Sequence, residues 1–195
     1  MLRPILAALV FNAALALPAL PVEIGDDGLH KQEWFSITFR DIAEDIEEAA
    51  ARGKRLAIVF EQRGCIYCEK MHEELLADPE VRDFIKAHFN IVQYNMFGDE
   101  EVTDLDGEVL TEKTAVRKWG YVFTPTIVFL PEEPPEGKSV AEAAVATMPG
   151  AFGKWTFLHM FEWVAQKGYE SGEHFQKYHA RRLNELRAAG RSDVE

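Results

Sequence analysis

Leu56-Ala57-Ile58-Val59-Phe60-Glu61-Gln62-Arg63-Gly64-Cys65-Ile66-Tyr67-Cys68 decides the fold. Five uninterrupted apolar residues, Leu56 to Phe60, read as a short strand buried on both faces. Glu61-Gln62-Arg63-Gly64 reads as the turn that follows, and the paired cysteines then open a helical run to about Ala77. The first four N–H groups of a helix lack internal partners, and the helix dipole adds partial positive charge at that end. A sulfur held there is stabilised as thiolate, the form that attacks disulfides. Lowering a thiol from about 8.5 to about 7 takes roughly 2 kcal/mol. A helix end commonly supplies about 0.3–1 kcal/mol, so direct N–H to sulfur hydrogen bonds must contribute too. Cys65, at the exposed edge of the turn, is the candidate nucleophile, and Cys68, one turn further in, is the candidate resolving thiol. Arg63 would favour the thiolate, while Glu69, four residues after Cys65 on the same helix face, would oppose it.

Upstream, Ile37, Ile42, Ile46 and Ala49 or Ala50 recur at helical spacing, which predicts a helix over 36–52 ended by Gly53. Downstream, Asp78 and Pro79 fit the N-cap and first position of a helix reaching His88. Ile91–Met96 reads as a strand. Residues 98–112 carry seven acids and no base, and Asp106-Gly107 sits between Val102, Leu105 and Val109, Leu110 as a hairpin turn. The expectation is a solvated insertion. A calcium loop with Gly107 in its glycine slot would need an acid where Val102 stands. A helix from Thr111 or Glu112 to Trp119 follows, then a strand over Thr126–Leu130, an edge strand over Val140–Met148, an amphipathic helix over 154–167, and a last helix marked by Phe175, Tyr178, Leu183 and Leu186. That last stripe is expected to pack on its own domain. Alternating strands and helices make the class α/β.

The 195 residues carry 21 basic and 33 acidic side chains, a net charge of −12, which excludes the clustered cationic face that nucleic acid requires. Met1-Leu2-Arg3, the apolar run Pro4–Leu17 and the Ala14-Leu15-Ala16 and Pro18–Pro21 stretches have the order of a secretory signal peptide over residues 1–19. The apolar run is shorter than the roughly 20 residues that span a bilayer. The expected organisation is a domain over 20–170 carrying the 98–112 insertion, and a helical extension over 171–195. Export places the chain in an oxidising compartment, where a lone cysteine pair is expected to do redox work. The disulfide itself would be the redox group, with no other cofactor.

A second motif lies in Trp119-Gly120-Tyr121-Val122-Phe123-Thr124-Pro125-Thr126, where Pro125 stands at the mouth of a strand. Its missing N–H would disrupt a central ladder, and a cis Thr124–Pro125 bond in a tight turn is one resolution. A C-x-x-C after the first core strand and a Thr-Pro-Thr about 60 residues later together resemble the thioredoxin superfamily. That resemblance implies the thioredoxin fold, a central mixed sheet flanked by helices, with a cis proline packed against the active-site sulfurs. It also implies that the backbone of Thr124 pairs with an extended substrate segment. The family's buried acid on the first strand would fall at Val59, which carries no proton, and Glu61 is the nearest carboxylate on that strand face and the possible proton relay. Tyr67, on the rim of the motif, is expected to contact the partner.

The signal peptide, Glu61 to His72, the acidic insertion and Phe123–Thr126 further resemble the periplasmic thioredoxins of bacterial sulfur-oxidation (Sox) systems, SoxW-like. The resemblance implies a protein-disulfide reductase in the periplasm, with electrons from a membrane thiol transporter of the CcdA/DsbD type. Its client would be the Sox sulfur-carrier protein or apocytochrome c. Two other readings stay open from the residues: a protein disulfide oxidant or isomerase using the same dithiol, and a metal-binding or delivery module using Cys65, Cys68 and His72. His72 is otherwise expected on the helix surface or behind the site.

Overall fold

Strand β1 (Arg55–Glu61) is buried along its whole length, as a continuous apolar run at the centre of a sheet requires. The computed structural model describes residues 22–194; the expected signal peptide over 1–19 lies outside the described residues. Around β1 the sheet has the order β2-β1-β5-β6, with β2 (Phe89–Asn95) parallel to β1, and β5 (Thr126–Phe129) and β6 (Ala146–Pro149) antiparallel. This mixed α/β sheet is the expected thioredoxin topology. A separate hairpin pairs β3 (Glu101–Thr103) with β4 (Val109–Thr111), and Gly107 takes the positive φ of +84° that its turn demands.

Each face of the sheet has its own core. Ala57 and Val59 join Ile91, Ile127 and Phe129 against Val81 and Ile85 of α3 (Pro79–His88) and Leu158 and Phe161 of α6 (Lys154–Ala165). Leu56, Ile58 and Phe60 face the other way, onto Ile42, Ile46 and Ala49 of α1 (Ile42–Ala51) and Ala115, Val116 and Trp119 of α4 (Glu112–Trp119). A fully buried Leu, Ile, Val or Phe stabilises by about 1.5–3 kcal/mol, so the alternation along one seven-residue strand clamps both helical layers. Asp78 caps α3 through Glu80 N and Val81 N, with Pro79 at its first position, as the sequence indicates.

Four expectations are corrected. Helix α1 starts at Ile42 and not at Ser36, because Asp41 caps it by accepting from Ala43 N and Glu44 N. Ile37, counted on the helix face, is fully exposed. The stretch read as an edge strand from Val140 begins instead as helix α5 (Val140–Ala143), closed by a Ser139/Glu142 capping box, and only 146–149 is strand. Helix α6 is buried almost all round because α7 (Phe175–Ala188) covers it. Tyr178 and Arg182 of α7 both bond Glu162 of α6, so the last stripe does pack on its own domain. In the acidic hairpin, Asp104 and Glu112 are buried. Asp104 accepts from Leu105 N, Val140 N, Trp119 Nε1 and Lys118 Nζ, and Glu112 accepts from Asn95 N. The other five acids fit the solvated reading.

Candidate functional site

β1 delivers the chain to the cysteines through Gln62–Gly64, where Gly64 takes a φ of +71°, a conformation open to glycine at little cost. Cys65 is the N-cap of α2 (Ile66–Lys70), extended at φ −80° and ψ 101°. Its sulfur accepts from Cys68 N at 3.1 Å, one of the orphan N–H groups of the helix start. Cys65 and Cys68 are joined as a disulfide, with their Cα atoms 5.2 Å apart. The expected depth order holds, with a correction to its degree: Cys65 is 6% exposed, nearly covered, and Cys68 is 0% exposed.

The second motif meets the first. Thr124–Pro125 is a cis peptide, and Thr124 Oγ1 donates to Cys65 Sγ at 3.4 Å. Thr126 Oγ1 caps the turn by donating to Phe123 O at 2.7 Å, and Gly150 N donates to Pro125 O at 2.7 Å. Among the described residues the amide and carbonyl of Thr124 have no backbone partner, since the β1–β5 ladder ends at Thr126. The loop therefore presents one unpaired backbone unit beside the disulfide. Ile66, Tyr67, Val122 and Phe123, flanking the two motifs in sequence, are all more than half exposed.

The charges around the dithiol differ from expectation. The guanidinium of Arg63 reaches Asp26 O at 3.4 Å, and its chain crosses Gly28; neither sulfur is its partner. Glu69 is exposed.

Glu61 and His72 are the larger surprise. Helix α2 runs into a single π turn, Met71–Leu75, whose inner face buries Met71, His72 and Leu75. His72 is 0% exposed, so the surface reading is corrected, and its Nε2 lies 2.8 Å from Oε1 of the equally buried Glu61. Gln93 Nε2 donates to the same Oε1 at 3.0 Å, and Glu61 Oε2 is buried with no partner. Glu61 thus shares the face of Val59 and lies inside the fold, not in a solvated loop. The ligand set Cys65, Cys68 and His72 is not assembled, because both ring nitrogens of His72 are engaged, by Glu61 and by Gln32. Among the described residues no group of three or more His, Cys, Asp or Glu side chains is placed to hold a metal. Sequence reasoning missed Gln32, Trp34 and Gln93 altogether. Nothing local marks them, since their roles depend on the return of β2 past β1.

Comparison with known proteins agrees with this geometry. A thioredoxin-like domain family model matches residues 42–159. A thioredoxin-fold protein from Helicobacter pylori superposes with a TM-score of 0.56 at 20% identity, over 75% of this chain and 97% of that one. A thioredoxin from Thermus thermophilus superposes with a TM-score of 0.51 at 26% identity, over 68% of this chain and 90% of that one. No curated protein matches the sequence.

Proposed function

Since the chain belongs to the thioredoxin-like domain family, we propose that it reduces disulfides of client proteins outside the cytoplasm, with Cys65 attacking and Cys68 resolving. The protein is a thiol–disulfide oxidoreductase whose redox group is the Cys65–Cys68 disulfide. One observation carries the assignment of roles. Cys65 sulfur is the one that caps the helix, accepts from Cys68 N and Thr124 Oγ1, and retains a trace of exposure, while Cys68 has none. A thiolate at residue 65 keeps those donors, and the buried sulfur needs its partner to come to it.

The client strand pairs with the free backbone of Thr124 beside Pro125, a small strand addition. Tyr67, with Ile66, Val122 and Phe123, supplies an apolar rim for it. Glu61 serves as proton relay. The signal-peptide order of residues 1–19 supports export to the periplasm, and the likeness of residues 61–72 and 123–126 to SoxW-like thioredoxins supports a client in sulfur oxidation or cytochrome c maturation. A membrane thiol transporter of the CcdA/DsbD type is the matching electron donor.

A Cys68→Ala variant in the native host tests the roles: it should hold its clients as mixed disulfides at Cys65 that mass spectrometry identifies, and trapping through Cys68 in a Cys65→Ala variant would reverse them. A redox titration tests the direction. A potential well below that of strong oxidants, about −120 mV, is expected, and one near it would make the protein an oxidant.

A further inference from the structure

Helices α6 and α7 meet over a pair of histidines. His159 of α6 is 0% exposed, and its Nδ1 lies 2.8 Å from Nδ1 of the half-buried His179 on α7. His179 Nε2 has Thr156 Oγ1 at 3.4 Å, whereas His159 Nε2 is buried with no partner. Aromatic rings enclose the pair: Trp155 lies 5.7 Å from His159, Tyr178 meets His159 edge-on, and Phe175 stacks on His179. The charged groups facing it are Glu162 from α6 and Arg182 and Glu185 from α7, with Arg182 bonded to both acids. Beyond Trp155, Lys154 of α6 and Arg191 of the C-terminal segment lie over that ring, and Asp78 and Glu80 of α3 pair with Lys154.

Only one arrangement of hydrogens suits this pair. A neutral imidazole carries one N–H, and a 2.8 Å gap between two ring nitrogens holds a single hydrogen. If His179 supplied it, the hydrogen of His159 would sit on Nε2, a buried donor with no acceptor. That cost is avoided when His159 Nδ1 donates to His179 Nδ1 and His179 Nε2 donates to Thr156 Oγ1. Every charged form strands the same hydrogen. Protonating His159 places it on Nε2 directly, and protonating His179 fills the gap from the far side and drives the His159 hydrogen onto Nε2. A second proton would set two hydrogens head to head across the gap.

We propose that this pair is an acid-operated latch: when it takes up a proton, α7 undocks from α6 while the sheet beneath stays folded. Helix α7 packs chiefly on α6, and the sheet is held by its own ladders and by α1, α3 and α4. Undocking lets water reach both rings, which then titrate near 6.5, whereas burial holds the docked His159 at about 4 and pushes His179 down as well. The docked state is therefore favoured in full above about pH 6.5 and loses ground as pH falls toward about 4. Release turns the rings of Trp155, Phe175 and Tyr178 toward solvent. The dithiol takes no part, so the device is independent of the exchange reading.

Ring-nitrogen NMR of the oxidised full chain reads the starting state. Near neutral pH the hydrogen of His159 should reside on Nδ1 and that of His179 on Nε2. The reverse assignment, or a charged His159 ring in a chain whose α7 amides stay protected, overturns the proposal. Native-state hydrogen exchange, corrected for the intrinsic rate at each pH, reads the opening. Amides of 175–188 should lose protection together by about 10²-fold between about pH 7 and about pH 4, and at the acid end should exchange well before those of β1. In His159→Phe the fall should shrink to less than about tenfold. Unchanged α7 protection across that range, a fall of full size in His159→Phe, or a common exchange rate for α7 and β1 each overturns the latch. The ring assignment and the comparison of α7 with β1 use the unaltered chain, so they decide the matter even where His159→Phe fails to fold.

Discussion

Two carboxylates lie buried on opposite sides of the sheet, and they are finished differently. Asp104, in the hairpin lobe, has both oxygens filled: Oδ1 by Leu105 N and Val140 N, Oδ2 by Trp119 Nε1 and Lys118 Nζ, all within 2.9 Å. Glu61, the last residue of β1, has one oxygen doubly filled and one empty. A carboxylate with every acceptor site used ties elements together, here β3, α4 and α5. One with an acceptor left open has kept the capacity to take a proton. Completion marks a strut, whereas the open oxygen of Glu61 is a buried acceptor whose pairing is left incomplete.

That contrast breaks or holds on measurable effects. The largest belongs to the finished acid. Asp104→Ala strips four donors of their partner in a sealed site and should cost about 3–5 kcal/mol in urea denaturation. The dithiol kinetics of the folded fraction should not change.

Next comes an unfinished group far from the dithiol. His159 Nδ1 meets His179 Nδ1 at 2.8 Å, and its Nε2 is buried without a partner. Burial, only partly offset by Glu162, depresses its pKa from 6.5 to about 4. A base whose folded value lies below its unfolded one stabilises fully above about pH 6.5 and loses that stability as pH falls toward 4. Between pH 7 and pH 4 the unaltered protein should therefore lose about 2 kcal/mol of denaturation free energy relative to His159→Phe.

Asp45 has the opposite sign. Burial outweighs the hydrogen bond from Thr38 and lifts it from 3.8 to about 6. The folded state holds that proton more tightly, so stability falls as pH rises from 3.8 to 6, and the deficit is complete above that. Asp45→Asn should gain about 1–2 kcal/mol at neutral pH and nothing near pH 4. The smallest effect is expected at Glu61 itself. Glu61→Gln should shift stability by less than about 1 kcal/mol, since only one oxygen is doing structural duty. A loss as large as that of Asp104→Ala would erase the distinction between the two acids.

Local signals carried much of this protein into view before any coordinates. The apolar run of β1, the Asp78-Pro79 cap, the Asp106-Gly107 turn and the cysteine spacing each act within a few residues, and each element stands where it was expected. The errors have local causes too. Ser139-Val140-Ala141-Glu142 is a capping box, and reading its Val and Ala as strand overlooked the Ser and Glu that satisfy the first turn of a helix. Ile37 fits a helical period only if Asp41 is ignored as a cap. The Glu61–His72 pair is a different matter. It joins residues eleven apart across a strand, a turn and a π turn, and its polarity is set by Trp34 and Lys31 from before the first helix. Periodicity has no means of announcing such a convergence, because it exists only once β2 and the 31–36 segment lie side by side, with Ser36 N donating to Ile91 O at 2.7 Å.

Helix α7 bears on how far the chain can be shortened. Trp163 meets Phe175 edge-on, His159 meets Tyr178 and His179, Glu162 meets Arg182, and the Trp155 indole donates to Asp193 O. A recombinant product trimmed to the matched span ending at residue 159 would lose not a loose tail but the second half of α6 and the helix that roofs it. It would turn aromatic and ionic groups outward together and invite precipitation. The practical unit for expression is therefore longer than the family's footprint, and a preparation that clumps would report a missing lid rather than a failed redox centre.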